Sequence, residues 1–285
     1  MGTDILGILP ERPTIKVIDV GAMSLGADTD PYSALVKAGL ARVVGFEPVQ
    51  AECDKLNAMA RAGQVYLPYA IGDGRKRTFN ICSAPMTSSL YEPNTALLEK
   101  FQNLENLVRV VRREEIETHR LDDLREVEGA DCLKLDVQGA EVDVLNGAAQ
   151  TLAETLVVHT EVEFVPLYKD QPLFAEVDQR LRQEGFLFHK FTGISGRAFQ
   201  PLVVNNDLDH PLSQMLWADA VYVKDFMALE KLTPEKLLKL AIILHLAYGS
   251  VDLAMQALRA YDMKMKTDLA NTYLRGLTAP SSQPQ

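Results

Sequence analysis

Two short apolar runs, each ending in an acid and separated by one helix-length stretch, constrain this chain more than any other feature. Thr14-Ile15-Lys16-Val17-Ile18-Asp19-Val20 leads into Gly21-Ala22, and Arg42-Val43-Val44-Gly45-Phe46 leads into Glu47-Pro48. Between them, Pro31–Gly39 reads as a helix, with Pro31 in its first turn and Gly39 as its stop. Strands joined in this way belong to a parallel α/β sheet, where both strand ends lie on the edge that binds ligands. A glycine at position 21 lets backbone approach a ligand closely. The carboxylate of Glu47, one strand over, can accept hydrogen bonds from two ribose hydroxyls. The pair points to a nucleoside-bearing cofactor.

The alternation continues along the chain. Val49–Ala62 reads as a helix ending at Gly63, and Val65–Ile71 as a third strand. Lys76–Cys82 alternates as an extra strand, Ser83–Asn94 is loop-like, and Leu107–His119 is an extended segment broken by charges. Regular alternation returns with Asp131–Asp136 as strand, Ala140–Ala149 as helix and Thr155–Phe164 as strand. A helix over Leu173–Glu184 stops at Gly185, and Phe186–Phe191 with Ala218–Val223 finishes the sheet as an antiparallel edge hairpin. This pattern predicts a doubly wound, Rossmann-like α/β fold. From Thr233 the composition changes. Thr233-Pro234 is a helix cap followed by proline at the first helical position. Leu237–Tyr248 is apolar nearly all round and must be buried on more than one side, in its own domain or in a homodimer interface; Asp252–Met263 follows as a second helix. The expected domains are therefore 1–228 (α/β), 229–277 (helical extension) and 278–285 (disordered tail).

Composition excludes several function classes. A net charge of −10 without clustered Lys and Arg argues against nucleic-acid binding. Cys53, Cys82 and Cys132 match no zinc or redox spacing and suit a reducing, cytoplasmic setting. No apolar stretch spans a bilayer, and no secretory leader is visible.

The chemistry concentrates at strand ends. A dinucleotide fingerprint would place a middle glycine against pyrophosphate, but Gly21 is followed by Ala22 and the next glycine is Gly26. A cofactor without pyrophosphate needs no such approach, and S-adenosylmethionine, a nucleoside joined to an amino acid, fits. Ala70-Ile71 closes the third strand where an adenine ring can be held; Asp73 either reaches the exocyclic amine or is a turn residue in Gly72-Asp73-Gly74. Lys134 and Asp136 share one face of their strand, with Asp136 at the carboxyl end facing cofactor or acceptor and Lys134 deeper in an ion pair. Glu141 sits early in the next helix, where the helix dipole favours an acid. Period two places His159, Glu161 and Glu163 on one face of the fifth strand. That face lines a pocket, with Glu161 and His159 as candidate proton acceptors, or it is a solvated strand end. Asp136, His159 and Glu161 are what a magnesium ion would draw on, but no spacing marks a metal site and none is expected.

These blocks together resemble the FkbM-type methyltransferases. The resemblance rests on Asp19-Val20-Gly21-Ala22, Gly45-Phe46-Glu47-Pro48, Ser88-Ser89-Leu90, Arg120-Leu121-Asp122, Leu133–Glu141 and Glu161-Val162-Glu163-Phe164, and runs from about Ile15 to Val223. It implies a seven-stranded class I fold with one antiparallel edge strand, S-adenosylmethionine as cofactor, and O-methylation of a small-molecule or sugar-like acceptor. It implies that Asp19, Gly21, Ala22, Glu47, Asp73 and Asp136 hold the cofactor, with Gly26, Pro48, Ala70, Ile71 and Val137 flanking them. Ser88, Ser89, Gln138, Glu141 and Glu161 fall on the acceptor side. The turn Met23-Ser24-Leu25-Gly26 departs from the family's usual Asn-containing turn. Two rivals stand beside this reading: a nicotinamide-dependent oxidoreductase, and a non-catalytic scaffold that kept the fold.

Overall fold

The structure is a computed structural model and describes residues 4–23 and 29–278. Ten strands are present among the described residues: β1 (Ile15–Val20), β2 (Ala41–Phe46), β3 (Gln64–Leu67), β4 (Ala70–Ile71), β5 (Lys76–Cys82), β6 (Val110–His119), β7 (Cys132–Leu135), β8 (Val157–Glu163), β9 (Phe186–Ser195) and β10 (Trp217–Lys224). Seven of them form one sheet in the order β3-β2-β1-β7-β8-β10-β9. The pairs β2/β3, β1/β7 and β7/β8 are parallel, whereas β10 runs antiparallel to both β8 and β9. The expected hairpin does close one edge, and its second strand is the antiparallel one.

Successive strands lie on opposite sides of β1, with β2 on one flank and β7 on the other. The crevice beyond β1 is therefore the topological switch point, and ligands bind at such points in open α/β sheets. Gly21, Glu47 and Asp136 all follow strands that end there.

The chain divides into two compact units. One comprises Val17–Ser24 and Val43–Lys224. In its core Ile18, Val20, Val44, Phe46, Leu133, Leu135, Val158 and Val162 pack with Val144, Leu145, Leu152, Val177 and Leu181 from the helices Glu141–Asn146, Ala149–Glu154 and Phe174–Gln183. The single helix expected over Ala140–Ala149 is thus two, broken at Gly147. A β-carbon at Gly147 would stand 2.7 Å from the Gly72 carbonyl oxygen, so the backbones meet where the break occurs.

The expected third strand also needs correction. Only Gln64–Leu67 joins the main sheet. The chain then turns at Pro68, and Ala70–Ile71 pairs instead with Thr118–His119 in a second sheet of order β4-β6-β5. Proline breaks the ladder because it has no N–H to donate. Ala70 and Ile71 therefore do not end a main-sheet strand.

The second unit comprises Met1–Lys16, Leu25–Arg42 and Asp225–Gln285. Its central helix, Pro234–Leu246, begins as the sequence requires, with the Thr233 hydroxyl accepting from the Lys236 N–H at 3.2 Å. Leu237, Leu238 and Leu240–Leu244 are fully buried within the single chain, which accounts for the helix being apolar on every side. Helix Val251–Met265 packs against it, and a further helix, Leu269–Thr278, packs on Val251–Met265. Composition alone did not mark this last helix. Its start is fixed by Asp262, whose carboxylate accepts from the N–H groups of Leu269 and Ala270, each at 2.8 Å. Among the described residues, no helix is long and apolar enough to cross a membrane.

Candidate active site

The ends of β1, β2 and β7 are laced together by backbone. The Gly21 and Ala22 N–H groups both donate to the Phe46 carbonyl, at 3.1 and 3.0 Å, and the Asp136 N–H donates to the Val20 carbonyl at 3.0 Å. Gly21 has φ +78°, and a β-carbon there would lie 1.9 Å from the Asp136 carbonyl oxygen. The glycine is thus demanded by the close approach of β7's end. Lys134 braces the same junction from below. Its ammonium is 3.1 Å from Asp19 Oδ1, donates to the Gly21 carbonyl at 3.2 Å, and is 3.8 Å from Asp136 Oδ2. Asp19 is buried, and its pairing with Lys134 offsets the cost of removing both charges from water. Asp19 therefore supports the turn through Lys134.

Glu47 closes β2 and is 6% exposed. One carboxylate oxygen accepts from the Val49 N–H at 2.8 Å, across Pro48. Burial pushes the carboxyl up to about 7, Glu52 adds to the rise, and the Val49 hydrogen bond and Lys134 oppose it. A buried carboxyl with a raised pKa is short of donors, and a vicinal diol supplies two. Gly26 lies outside the described residues. Asp73 adopts the turn role: its carboxylate accepts from the Arg75 N–H at 3.0 Å and from the Arg75 guanidinium, and Arg77 stands 3.5 Å away. These partners hold its carboxyl below the usual range.

On the other side of Asp136 the chain turns sharply, with Gln138 at φ +56° and Gly139 at φ +97°. The turn aims the Gln138 amide between two acids: Nε2 donates to Asp136 Oδ1 at 2.8 Å and to Glu161 Oε2 at 2.7 Å. The Tyr168 hydroxyl lies 3.1 Å from Gln138 Oε1 and 2.9 Å from the Thr87 carbonyl. Ser89 Oγ donates to the Gln138 carbonyl at 2.6 Å. Gln138 is therefore the hub that joins Asp136, Glu161, Ser89 and Tyr168, four positions scattered over the sequence. Ser88 is not part of it, because its hydroxyl accepts from the Cys82 N–H at 3.1 Å.

Glu141 is buried, and one of its oxygens accepts from the Val137 N–H at 2.9 Å and the Gly139 N–H at 3.3 Å, holding the turn closed. Burial pushes its carboxyl up to about 7, against the pull of the Val137 hydrogen bond. Burial, and then Asp136, raise the Glu161 carboxyl well above the ordinary range. His159, one register step back on β8, has Nε2 3.5 Å from Asp219 of β10. Tyr168, Gln171 and Glu163 were not among the expected site residues. Glu163 was legible, since it shares the Glu161 face by period two. Tyr168 and Gln171 lie in an irregular loop that no periodicity marks.

The family description "Methyltransferase FkbM domain" matches residues 19–188. Among characterised proteins the chain is similar to the 2-O-methyltransferase NoeI of Sinorhizobium fredii (strain NBRC 101917 / NGR234), at 29% identity over 189 residues, covering 60% of this chain and 72% of that protein. Among solved structures it is similar to a precorrin-6y C5,15-methyltransferase from Geobacter metallireducens GS-15, at 11% identity, covering 78% of this chain and 85% of the other. The TM-score of that pair is 0.38.

Proposed function

This chain belongs to the FkbM methyltransferase family, and from that premise we propose that it moves a methyl group from S-adenosylmethionine to a hydroxyl of a sugar-like small molecule. The observation that carries the cofactor assignment is Glu47, a buried carboxylate with a raised pKa and one fixed oxygen, at the end of the strand beside the switch point. Its geometry and its shortage of donors suit a ribose diol. Asp19, Gly21, Ala22, Pro48, Asp136 and Val137 would complete the cofactor side. When bound, the cofactor supplies a methyl group on a positively charged sulfur.

The acceptor side is the Asp136–Gln138–Glu161 clamp, with His159 behind it. Gln138 holds the two acids in fixed orientation, so an acceptor hydroxyl placed there lies beside carboxyl oxygens, and Glu161, once ionised, is the stronger base to take its proton as the oxygen attacks. Holding both partners in one geometry supplies much of the rate in such a transfer. The similarity to a 2-O-methyltransferase supports oxygen as the acceptor atom.

The test is calorimetric titration with S-adenosylmethionine, followed by transfer of labelled methyl to oligosaccharides bearing free 2-hydroxyls. Stoichiometric binding that Glu47→Ala weakens, with labelled product that Glu161→Gln abolishes, is expected. Absence of binding by folded protein at about millimolar ligand overturns the proposal.

A further inference from the structure

Glu141, Glu161 and Glu163 converge: one oxygen from each lies within 4.8 Å of the others. Two of these carboxylates have donors. One oxygen of Glu141 is held by the Val137 and Gly139 N–H groups, and one of Glu161 by Gln138. Each keeps a second oxygen. Glu163 is 1% exposed, and its Oε2 is buried with no hydrogen-bond partner among the described residues. The Gln171 side chain lies within reach as a hydrogen-bonding group that lowers its carboxyl, but the Gln171 amide nitrogen does not complete a hydrogen bond to it. A buried carboxylate oxygen without a donor is costly in an interior of low dielectric, and two further acids beside it compound the cost.

We propose that Glu141, Glu161 and Glu163 form a binding site for a hard divalent cation, magnesium or calcium. Carboxylate oxygens are the ligands these ions prefer, at about 2.0–2.6 Å, and two ligands opposite each other across such an ion stand about 4–5 Å apart. The separations in the cluster fall inside that limit. The absence of sulfur and imidazole from the set disfavours zinc and copper. The cation tethers strand β8, which carries Glu161 and Glu163, to the turn after β7, which carries Gln138 and leads into Glu141. It thus orders the two elements that the Gln138 clamp joins. The site shares Glu161 with the proposed acceptor side, but its test reads ion binding by the protein alone and so does not depend on the methyl-transfer reading.

The experiment uses the full chain stripped with chelator and titrated with Mn²⁺, a paramagnetic stand-in for magnesium, while free Mn²⁺ is read by electron paramagnetic resonance. Cofactor binding is measured separately, so failure here and failure of the methyltransferase reading are distinguishable. One Mn²⁺ bound per chain, displaced by Mg²⁺ or Ca²⁺, with a rise in melting temperature on adding Mg²⁺, is expected. Glu163→Gln should weaken Mn²⁺ binding by about tenfold or more, and Glu141→Gln should do the same. Removing one charge from a crowded acidic cluster favours folding of the metal-free chain, so both variants remain testable. The absence of bound Mn²⁺, Mg²⁺ and Ca²⁺ up to about 10 mM would mean that the three carboxyls share protons instead, and overturns the proposal. Unchanged Mn²⁺ binding in both folded variants overturns it equally, by placing the ion elsewhere.

Discussion

Raising the pH through neutrality should tighten nucleoside binding about tenfold through Glu47 alone. The carboxyl stands at about 7 in the ligand-free protein because it is buried, with Glu52 reinforcing and the Val49 N–H and Lys134 opposing. Cys53 feels it too: burial and then Asp54 push its thiol up, and the Glu47 charge adds to the rise. Both ribose hydroxyls can donate to the ionised carboxylate at once, whereas the protonated form offers weaker acceptors and puts an O–H in the way. With a pKa of about 7, roughly a tenth of the protein is competent at about pH 6 and nine tenths at about pH 8, and apparent affinity follows the competent fraction. Calorimetry with 5′-methylthioadenosine, which keeps the ribose diol and lacks the titrating amino acid, isolates the effect. Buffers of different ionisation enthalpy should show net proton release on binding near neutrality. Glu47→Gln should bind more weakly above neutrality and lose the pH dependence. The same carboxyl has a stability signature. Its folded pKa lies above its unfolded value of 4.5, so folded protein holds the proton longer as pH rises. Stability is therefore intact below the unfolded value, falls between it and about 7, and stays reduced above, by at most about 3 kcal/mol. Glu47→Gln should recover that amount in urea unfolding at about pH 8 and nothing at about pH 4. Affinity that is flat with pH in the parent, with no proton exchanged, would refute the assignment of Glu47 to the diol.

Gly21→Ala forces a β-carbon to within 1.9 Å of the Asp136 carbonyl at a φ of +78°. It should cost about 3 kcal/mol or more, or prevent soluble expression, as read by urea unfolding; a loss under about 1 kcal/mol would show that β7 retreats easily. Gln138→Leu removes the only amide between Asp136 and Glu161 among the described residues, and should lower kcat by about tenfold to a hundredfold while leaving cofactor Kd within about twofold. An equal loss in both would mean that Gln138 supports the cofactor side. Tyr273→Phe breaks the 2.5 Å contact between Tyr273 Oη and His245 Nδ1; the loss should be about 1 kcal/mol, with no effect on cofactor Kd, checked by thermal unfolding and calorimetry.

Much of the framework was legible because it is local. Apolar runs of strand length, a helix cap at Thr233 and stops at Gly39 and Gly185 report their own conformation, since each depends on backbone sterics or a side chain within a few residues. The helix expected to run to Ala62 and stop at Gly63 ends instead at Met59, where Ala60 turns extended. The strand-end positions of Glu47, Asp136 and Glu161 followed from the same local reasoning. Ala70–Ile71 misled because Pro68 ended the main-sheet ladder while β-propensity continued past it, and only pairing with Thr118–His119 shows which sheet the residues join. Leu269–Thr278 escaped because its cap, Asp262, belongs to the preceding helix.

The sequence by itself determined the α/β alternation, the polar face of β8 and the acids at strand ends, all of which follow from the period of a strand and the needs of its termini. Only the tertiary structure decided what those residues do to one another. Gly21 is glycine because Asp136, 115 residues away in the chain, brings its carbonyl against it. Gln138 bridges two acids because a left-handed turn points it between strands that are neighbours in space. Glu163 shares a buried cluster with Glu141 because β8 lies beside the turn after β7. Distances between residues far apart in sequence depend on the packing of the whole sheet, and no local pattern encodes them.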